Sequence, residues 1–163
     1  MNSEAKKENR AKAKEFEVNY WIDPSGNSIE PLKLSALKGK FIVLFCFQSW
    51  CPGCHSKGLP DLKKMVEALE GKENVFFLAV QTVFEGFESN THEKIATVQK
   101  DYNLKIHFGH DAGSEKMPGS NIMRNYKTGG TPWFIFIDKA YNIVFSDFHL
   151  NAQAAIQYLK AIE

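Results

Sequence analysis

Cysteine, net charge and long apolar runs are all scarce in this 163-residue chain, and each scarcity excludes a class of protein. Three cysteines are too few for a disulfide-stapled miniprotein, and their odd number leaves at least one thiol unpaired within the chain. Cysteine here points to chemistry more than to scaffolding. Twenty Lys and Arg against 19 Asp and Glu leave a formal charge of +1. No overall field gathers phosphate or anionic lipid, so nucleic acid is not an expected partner. The longest apolar run, Phe41 to Phe47, is strand-sized and falls far short of the ~20 residues of a membrane-spanning helix. The N-terminal MNSEAKKENRAKAKEFE lacks the apolar stretch of a secretory signal. A cytoplasmic protein is therefore expected, or a periplasmic one where a signal peptide has been removed.

What is present is the composition of one globular domain. Hydrophobic residues make up 44% of the chain, charged residues 24%, and 13 are Phe. A chain of this size buries roughly two-thirds of its unfolded surface. Residues 1–17 mix Lys, Arg and Glu with Ala and hold a single large apolar residue, Phe16, so they are expected to form a charged tail preceding a domain over 18–163. Asn19 to Ile22, the turn signal Asp23 to Asn27 and the segment Ile29 to Leu34 predict an N-terminal hairpin.

From Phe41 the signals become periodic. FIVLFCF is a continuous apolar run, suited to a central strand buried on both faces. Leu62, Met65, Val66 and Leu69 mark one buried stripe of a helix. Asn74 to Thr82 is a second central strand, which completes a βαβ unit. Asn90 or Thr91 is a candidate cap for a helix carrying Ile95, Val98 and Tyr102, followed by a short strand near Ile106 to Phe108 and a helical turn from Ser120 to Tyr126. WFIFID and IVFSDF, either side of Lys139 to Asn142, predict an antiparallel hairpin, and Asn151 caps a last helix. The order is that of an α/β domain.

The sharpest motif is Trp50-Cys51-Pro52-Gly53-Cys54-His55, placed between a buried strand and a helix. Unpaired N–H groups and the positive end of the dipole at a helix start favour a thiolate at Cys51, the candidate nucleophile. Cys54, one turn on, is within reach of a mixed disulfide and is the candidate resolving residue. Trp50 stands at the rim, where it covers the site or contacts substrate. His55, when protonated, favours a nearby thiolate, and it serves equally well as an exposed residue without a role. Cys46, in the middle of the strand, reads as a buried core thiol.

The strand FIVLFCFQS, the WCPGC motif at a helix start, Thr131-Pro132 before the final hairpin and the last helix together resemble the thioredoxin superfamily. They are most similar to its TlpA/ResA-like thiol-disulfide oxidoreductases and the neighbouring peroxiredoxin-like proteins of the alkyl hydroperoxide reductase/thiol-specific antioxidant type. The resemblance implies a thioredoxin-like α/β fold: a central mixed sheet flanked by helices, with an N-terminal hairpin and a central helical insertion over about 84–106. It implies that Pro132 is cis beside the active disulfide, and that Thr131 offers its backbone to an extended substrate. Partners would be protein or small-molecule disulfides and thiols, plus a redox recycling partner, with no metal and no organic cofactor.

The family pattern is incomplete. Phe45 stands where thioredoxin has a buried proton-accepting aspartate, and Lys57 where ResA-like proteins often have a glutamate. Glu85, just past the second central strand, is the candidate replacement proton acceptor. Pro60 sits one residue later than the family's helix-kinking proline, a difference that Gly58 can absorb.

Competing readings of the same residues are weaker. C-x-x-C-H is also a c-type haem attachment signature, but a buried strand before it and a Thr-Pro hairpin after it do not belong to such a site. A zinc site would need Cys51, Cys54, His107 and His110 to converge. A peroxiredoxin motif would place threonine and proline upstream of the reactive cysteine, where Gln48 and Leu44 precede Cys51. A thiol peroxidase and a non-catalytic binding module on the same fold stay as alternatives to the expected disulfide exchange.

Overall fold

A computed structural model describes residues 11–163 of the chain. Seven strands form one mixed sheet: β1 (Tyr20–Ile22), β2 (Ser28–Ile29), β3 (Phe41–Phe47), β4 (Val75–Thr82), β5 (His107–Asp111), β6 (Trp133–Ile137) and β7 (Ile143–Asp147), in the spatial order β2-β1-β5-β4-β3-β6-β7. The strands β3, β4 and β5 run parallel, and the N-terminal hairpin and the β6–β7 hairpin add antiparallel edges. Four helices complete the domain: α1 (Leu59–Ala68), α2 (Lys94–Asp101), α3 (Asn121–Tyr126) and α4 (Ala152–Lys160). The expected thioredoxin-like α/β architecture is present, with α2 inside the expected insertion.

All seven residues of β3 are buried, because the strand has neighbours on both sides and cover on both faces. Its alternation sorts the core into two halves. Phe41, Val43, Phe45 and Phe47 pack with Leu59, Leu62 and Met65 of α1, Ile95 and Val98 of α2, and Leu159 of α4. Ile42, Leu44 and Cys46 face the other way, onto Trp21, Leu34, Ile122 and Tyr126. A period of two on a doubly covered strand thus appears in sequence as an unbroken apolar run.

Phe16 and Val18 belong to that second half, both buried. Of the expected charged tail, 1–17, residues 1–10 lie outside the described residues; in the rest Phe16 is buried, Ala13 and Glu15 are half-buried, and the other residues are exposed. Ala13 donates its N–H to Tyr141 O at 2.7 Å, Ile143 donates to Ala11 O at 2.8 Å, and Glu15 accepts the Leu34 N–H at 2.8 Å. One buried phenyl ring outweighs the surrounding charges because Lys and Glu side chains on a packed segment still reach water.

A correction concerns α2. Neither Asn90 nor Thr91 caps it with a side chain: Glu93 occupies the N-cap without a side-chain bond, and Asn90 is buried and turned toward the segment before Cys51. The cap at Asn151 is as expected, accepting from Ala154 N, and Ser120, at the start of the expected helical turn, caps α3 by accepting from Met123 N.

Candidate active site

β3 ends at Phe47, and Gln48 to Trp50 carry the chain over the sheet edge to Cys51. Helical backbone starts at Pro52, and Cys54–Gly58 form a π-helical turn in which Leu59 N–H bonds to Cys54 O. The wider turn accommodates one extra residue and so explains the late Pro60, which has no N–H to give. Gly58 is the residue that lets this turn dock. A Cβ built there would sit 2.7 Å from Pro132 Cβ and 2.9 Å from Phe45 Cζ, closer than atoms tolerate.

Cys51 and Cys54 are joined as a disulfide, with Cα atoms 5.3 Å apart. They differ in access. Cys51 is 9% exposed and Cys54 fully buried. The Cys54 N–H donates to Cys51 Sγ at 3.3 Å, and the Thr131 hydroxyl lies 3.5 Å from the same sulfur. Both donors favour negative charge on Cys51 Sγ. The Thr131–Pro132 bond is cis. Pro132 Cδ comes within 3.4 Å of where a Gly53 Cβ would be, so the proline loop lies directly on the motif.

Of the residues singled out in the sequence, the structure therefore brings Cys51, Cys54, Thr131 and Pro132 together. Trp50, next to Cys51 in the chain, is 63% exposed. The Glu85 side chain is exposed and makes no hydrogen bond among the described residues, and only its backbone is held near the site. Its candidacy as proton acceptor gains no contact. His55 turns its ring away from the sulfurs: Nε2 lies 2.6 Å from Ser49 O, and Nδ1 lies 2.6 Å from Tyr102 Oη. A carbonyl only accepts, so Nε2 carries a proton, and Nδ1 shares a hydrogen bond with the Tyr102 hydroxyl. Burial, and then the Asp101 charge, raise the Tyr102 pKa, so the hydroxyl keeps its proton.

Cys46 is fully buried, and burial pushes its thiol pKa far up, which leaves it unreactive at neutral pH. His107 and His110 lie on β5, and His110 Nδ1 is 3.0 Å from Gln81 Nε2. Among the described residues no group of three or more His, Cys, Asp or Glu is placed to hold a metal ion.

Several site residues are absent from the sequence reading of the site. The buried Gln48 accepts from the N–H groups of Phe84 and Glu85 at 3.2 and 3.4 Å. The Asn90 amide accepts from Trp50 N at 2.8 Å and donates to Glu85 O and Gly86 O, both at 3.1 Å. Gln81 accepts from Ser49 N at 2.8 Å and Ser49 Oγ at 2.5 Å. On the other side of the motif, Lys57 pairs with the buried Asp61 at 2.6 Å, beside a cavity of about 190 Å³ lined by Pro132, Phe134 and Phe148. A polar residue straight after an apolar strand was the available hint for Gln48. Asn90 had none, since its partners are distant in sequence.

Known proteins place this geometry. The model of the AhpC/TSA family matches residues 10–146. A thioredoxin-like superfamily protein, SPOA0173, is 31% identical with a TM-score of 0.77, over 93% of this chain and 97% of that one. A thiol-disulfide isomerase from Corynebacterium glutamicum is 23% identical with a TM-score of 0.79, over 96% and 99%. A secreted disulfide oxidoreductase of Mycobacterium tuberculosis is 16% identical with a TM-score of 0.60, over 88% and 95%. No curated protein sequence matches significantly. With the family model spanning most of its length and a disulfide-bonded cysteine pair where β3 meets its helix, the chain belongs to the AhpC/TSA family and has a thioredoxin-like fold.

Proposed function

We propose that the protein is a thiol-disulfide oxidoreductase in which Cys51 is the nucleophile and Cys54 the resolving residue. The observation that carries this reading is the asymmetry of the pair: the Cys51 sulfur receives two hydrogen-bond donors, on a residue that keeps some exposure, and Cys54 is sealed. In the reducing direction the Cys51 thiolate attacks one sulfur of a substrate disulfide. The Cys51–substrate S–S bond forms as the substrate's own S–S bond breaks, and the second substrate sulfur leaves as a thiolate. Cys54, deprotonated, then attacks Cys51 Sγ, the Cys51–Cys54 bond forms, and the first substrate sulfur leaves. The substrate gains two electrons and the protein loses two, to be restored by an external thiol donor.

Trp50, Thr131 and Pro132 contact the substrate in this reading. Glu85 is the candidate acceptor for the Cys54 proton, supported by its place on the loop fastened to Gln48 and Asn90. The partners are protein or small-molecule thiols and disulfides. No helix among the described residues is long and apolar enough to cross a membrane. The compartment is read from the potential: about −270 mV fits a reductant in a reducing compartment, and about −120 mV an oxidant outside the cytoplasm.

Cys54→Ser tests the assignment. It is expected to accumulate a mixed disulfide through Cys51, whereas Cys51→Ser is expected to lose reductase activity. Retained activity in Cys51→Ser overturns the reading, and the absence of any adduct in Cys54→Ser favours a binding module. The family supports a second reading, a thiol peroxidase. The buried Leu44 and Gln48, however, occupy the positions of the peroxide-shaping residues. Thiol-dependent consumption of a hydroperoxide distinguishes the two.

A further inference from the structure

The loop that follows β4, Phe84 to Ser89, is exposed along its whole length, yet two buried amides fasten it to the residues just before Cys51. Gln48 holds its start through two N–H groups, and Asn90 holds two of its carbonyls while also accepting from Trp50. Ser89 and Asn90 close the loop with bonds to Gly86 O at 2.9 and 3.0 Å. A loop so fastened presents its side chains at a set distance from the disulfide. Those side chains are Phe84 and Phe87, 39% and 44% exposed, and the carboxylates of Glu85 and Glu88. Trp50 adds a third exposed ring, and Trp50 and Glu88 line one groove with His55, Lys94, Thr97 and Asp101.

Apolar rings held out in water beside a reactive group mark an interaction surface. The charge around them has one prevailing sign. In the groove Glu88 and Asp101 stand against one lysine, Lys94, and 84–89 carries Glu85 and Glu88 and no basic residue. In a chain whose overall charge is +1, this acidity is local to the site.

Resting on the disulfide-exchange reading, we propose that Trp50, Phe84 and Phe87 with Glu85 and Glu88 form a docking surface for a protein substrate whose reactive cysteine is flanked by apolar and basic side chains. The rings take the apolar residues, and the carboxylates attract the cations and repel acidic competitors.

Two capped peptide disulfides test this, sharing leucines around the cysteine and differing in lysine or glutamate beside it, with neutral hydroxyethyl disulfide as reference. The reduced wild-type protein is expected to prefer the lysine peptide. In Glu85→Gln/Glu88→Gln the lysine-to-glutamate rate ratio is expected to fall about three- to fivefold at low ionic strength, and added salt is expected to lower the wild-type ratio likewise. Phe84→Ser/Phe87→Ser is expected to slow both peptides several-fold relative to hydroxyethyl disulfide. Comparing ratios cancels the peptides' own reactivities. An unchanged ratio in the double glutamine variant overturns the proposal. So does an equal change for both peptides, which would mean that the carboxylates act on the cysteine pair itself, as Glu85 would in accepting the Cys54 proton, and not on the substrate. If wild type reacts with none of the three disulfides, it is the exchange reading that fails.

Discussion

The backbone N–H of Cys54 is directed at the sulfur of Cys51, 3.3 Å away, while the Cys54 sulfur has no exposed surface. One cysteine thus stabilises the charge of the other and stays out of reach of large reagents. In the reduced protein Cys51 is expected to be alkylated first, with an apparent pKa below the ~8.5 of a free cysteine. Thr131→Val removes the second donor and is expected to raise that pKa by somewhat under one unit, the worth of about 1 kcal/mol. The pH dependence of iodoacetamide alkylation, followed by mass spectrometry, measures both. Equal labelling of the two cysteines contradicts the assignment.

Gly58 and Gly53 both have helical backbone angles, so helix propensity alone favours alanine at each by up to about 1 kcal/mol. Packing reverses this at Gly58 only, where a methyl group meets Pro132 and Phe45 below 3.0 Å. Gly58→Ala is expected to destabilise by ~1–3 kcal/mol and to lower Tm by roughly 2–4 °C per kcal/mol. Gly53→Ala, with its nearest neighbour at 3.4 Å, is expected to be neutral or slightly stabilising. Thermal unfolding of the two variants decides it, and an equal response at both positions contradicts the docking of Gly58 on Pro132.

Asn90→Ala deletes three hydrogen bonds and leaves the Trp50 N–H without its acceptor. The expected cost is ~1–3 kcal/mol. Its local signature is more telling: the loop should be freed, and chymotrypsin should cut after Phe84 or Phe87 faster than in wild type, while the rest of the domain stays resistant. Unchanged cleavage there would show that the amide does not hold the loop.

His110 is expected to make stability fall in weak acid. Burial pushes its pKa down to about 4, with His92 adding to the effect and Glu93 opposing it. It is neutral when folded, with Nδ1 accepting from Gln81 Nε2. Between the unfolded value near 6.5 and about 4, the unfolded chain binds the extra proton, so stability present above pH ~6.5 is lost as pH falls through that window. Allowing for the ring's partial exposure, the loss is on the order of 1–2 kcal/mol. Urea unfolding at pH 7 and pH 4.5 should show a smaller drop in His110→Gln than in wild type.

Much of the fold was legible because its signals are local. The FIVLFCF run, the Leu62–Met65–Val66–Leu69 stripe, the Asn151 cap and the two hairpins each depend on neighbours a few residues away. The environment of Phe16 and the α2 cap are not legible in this way, because a local cue there competes with a distant partner. Phe16 looked isolated among charges until Trp21 and the second half of the core covered it. Asn90 looked like a cap until Trp50, forty residues earlier, claimed its side chain.

The sequence by itself determined the chemistry: two cysteines one helical turn apart behind a buried strand, and a Thr-Pro pair ahead of a hairpin, since spacing and residue type are written in the chain. Only the tertiary structure decided which cysteine keeps some exposure, that Gly58 must lack a side chain, that His55 faces Tyr102, and that an acidic, aromatic loop is fastened beside the disulfide. Those properties depend on distances between segments far apart in sequence, and such distances exist only once the sheet has brought their ends together.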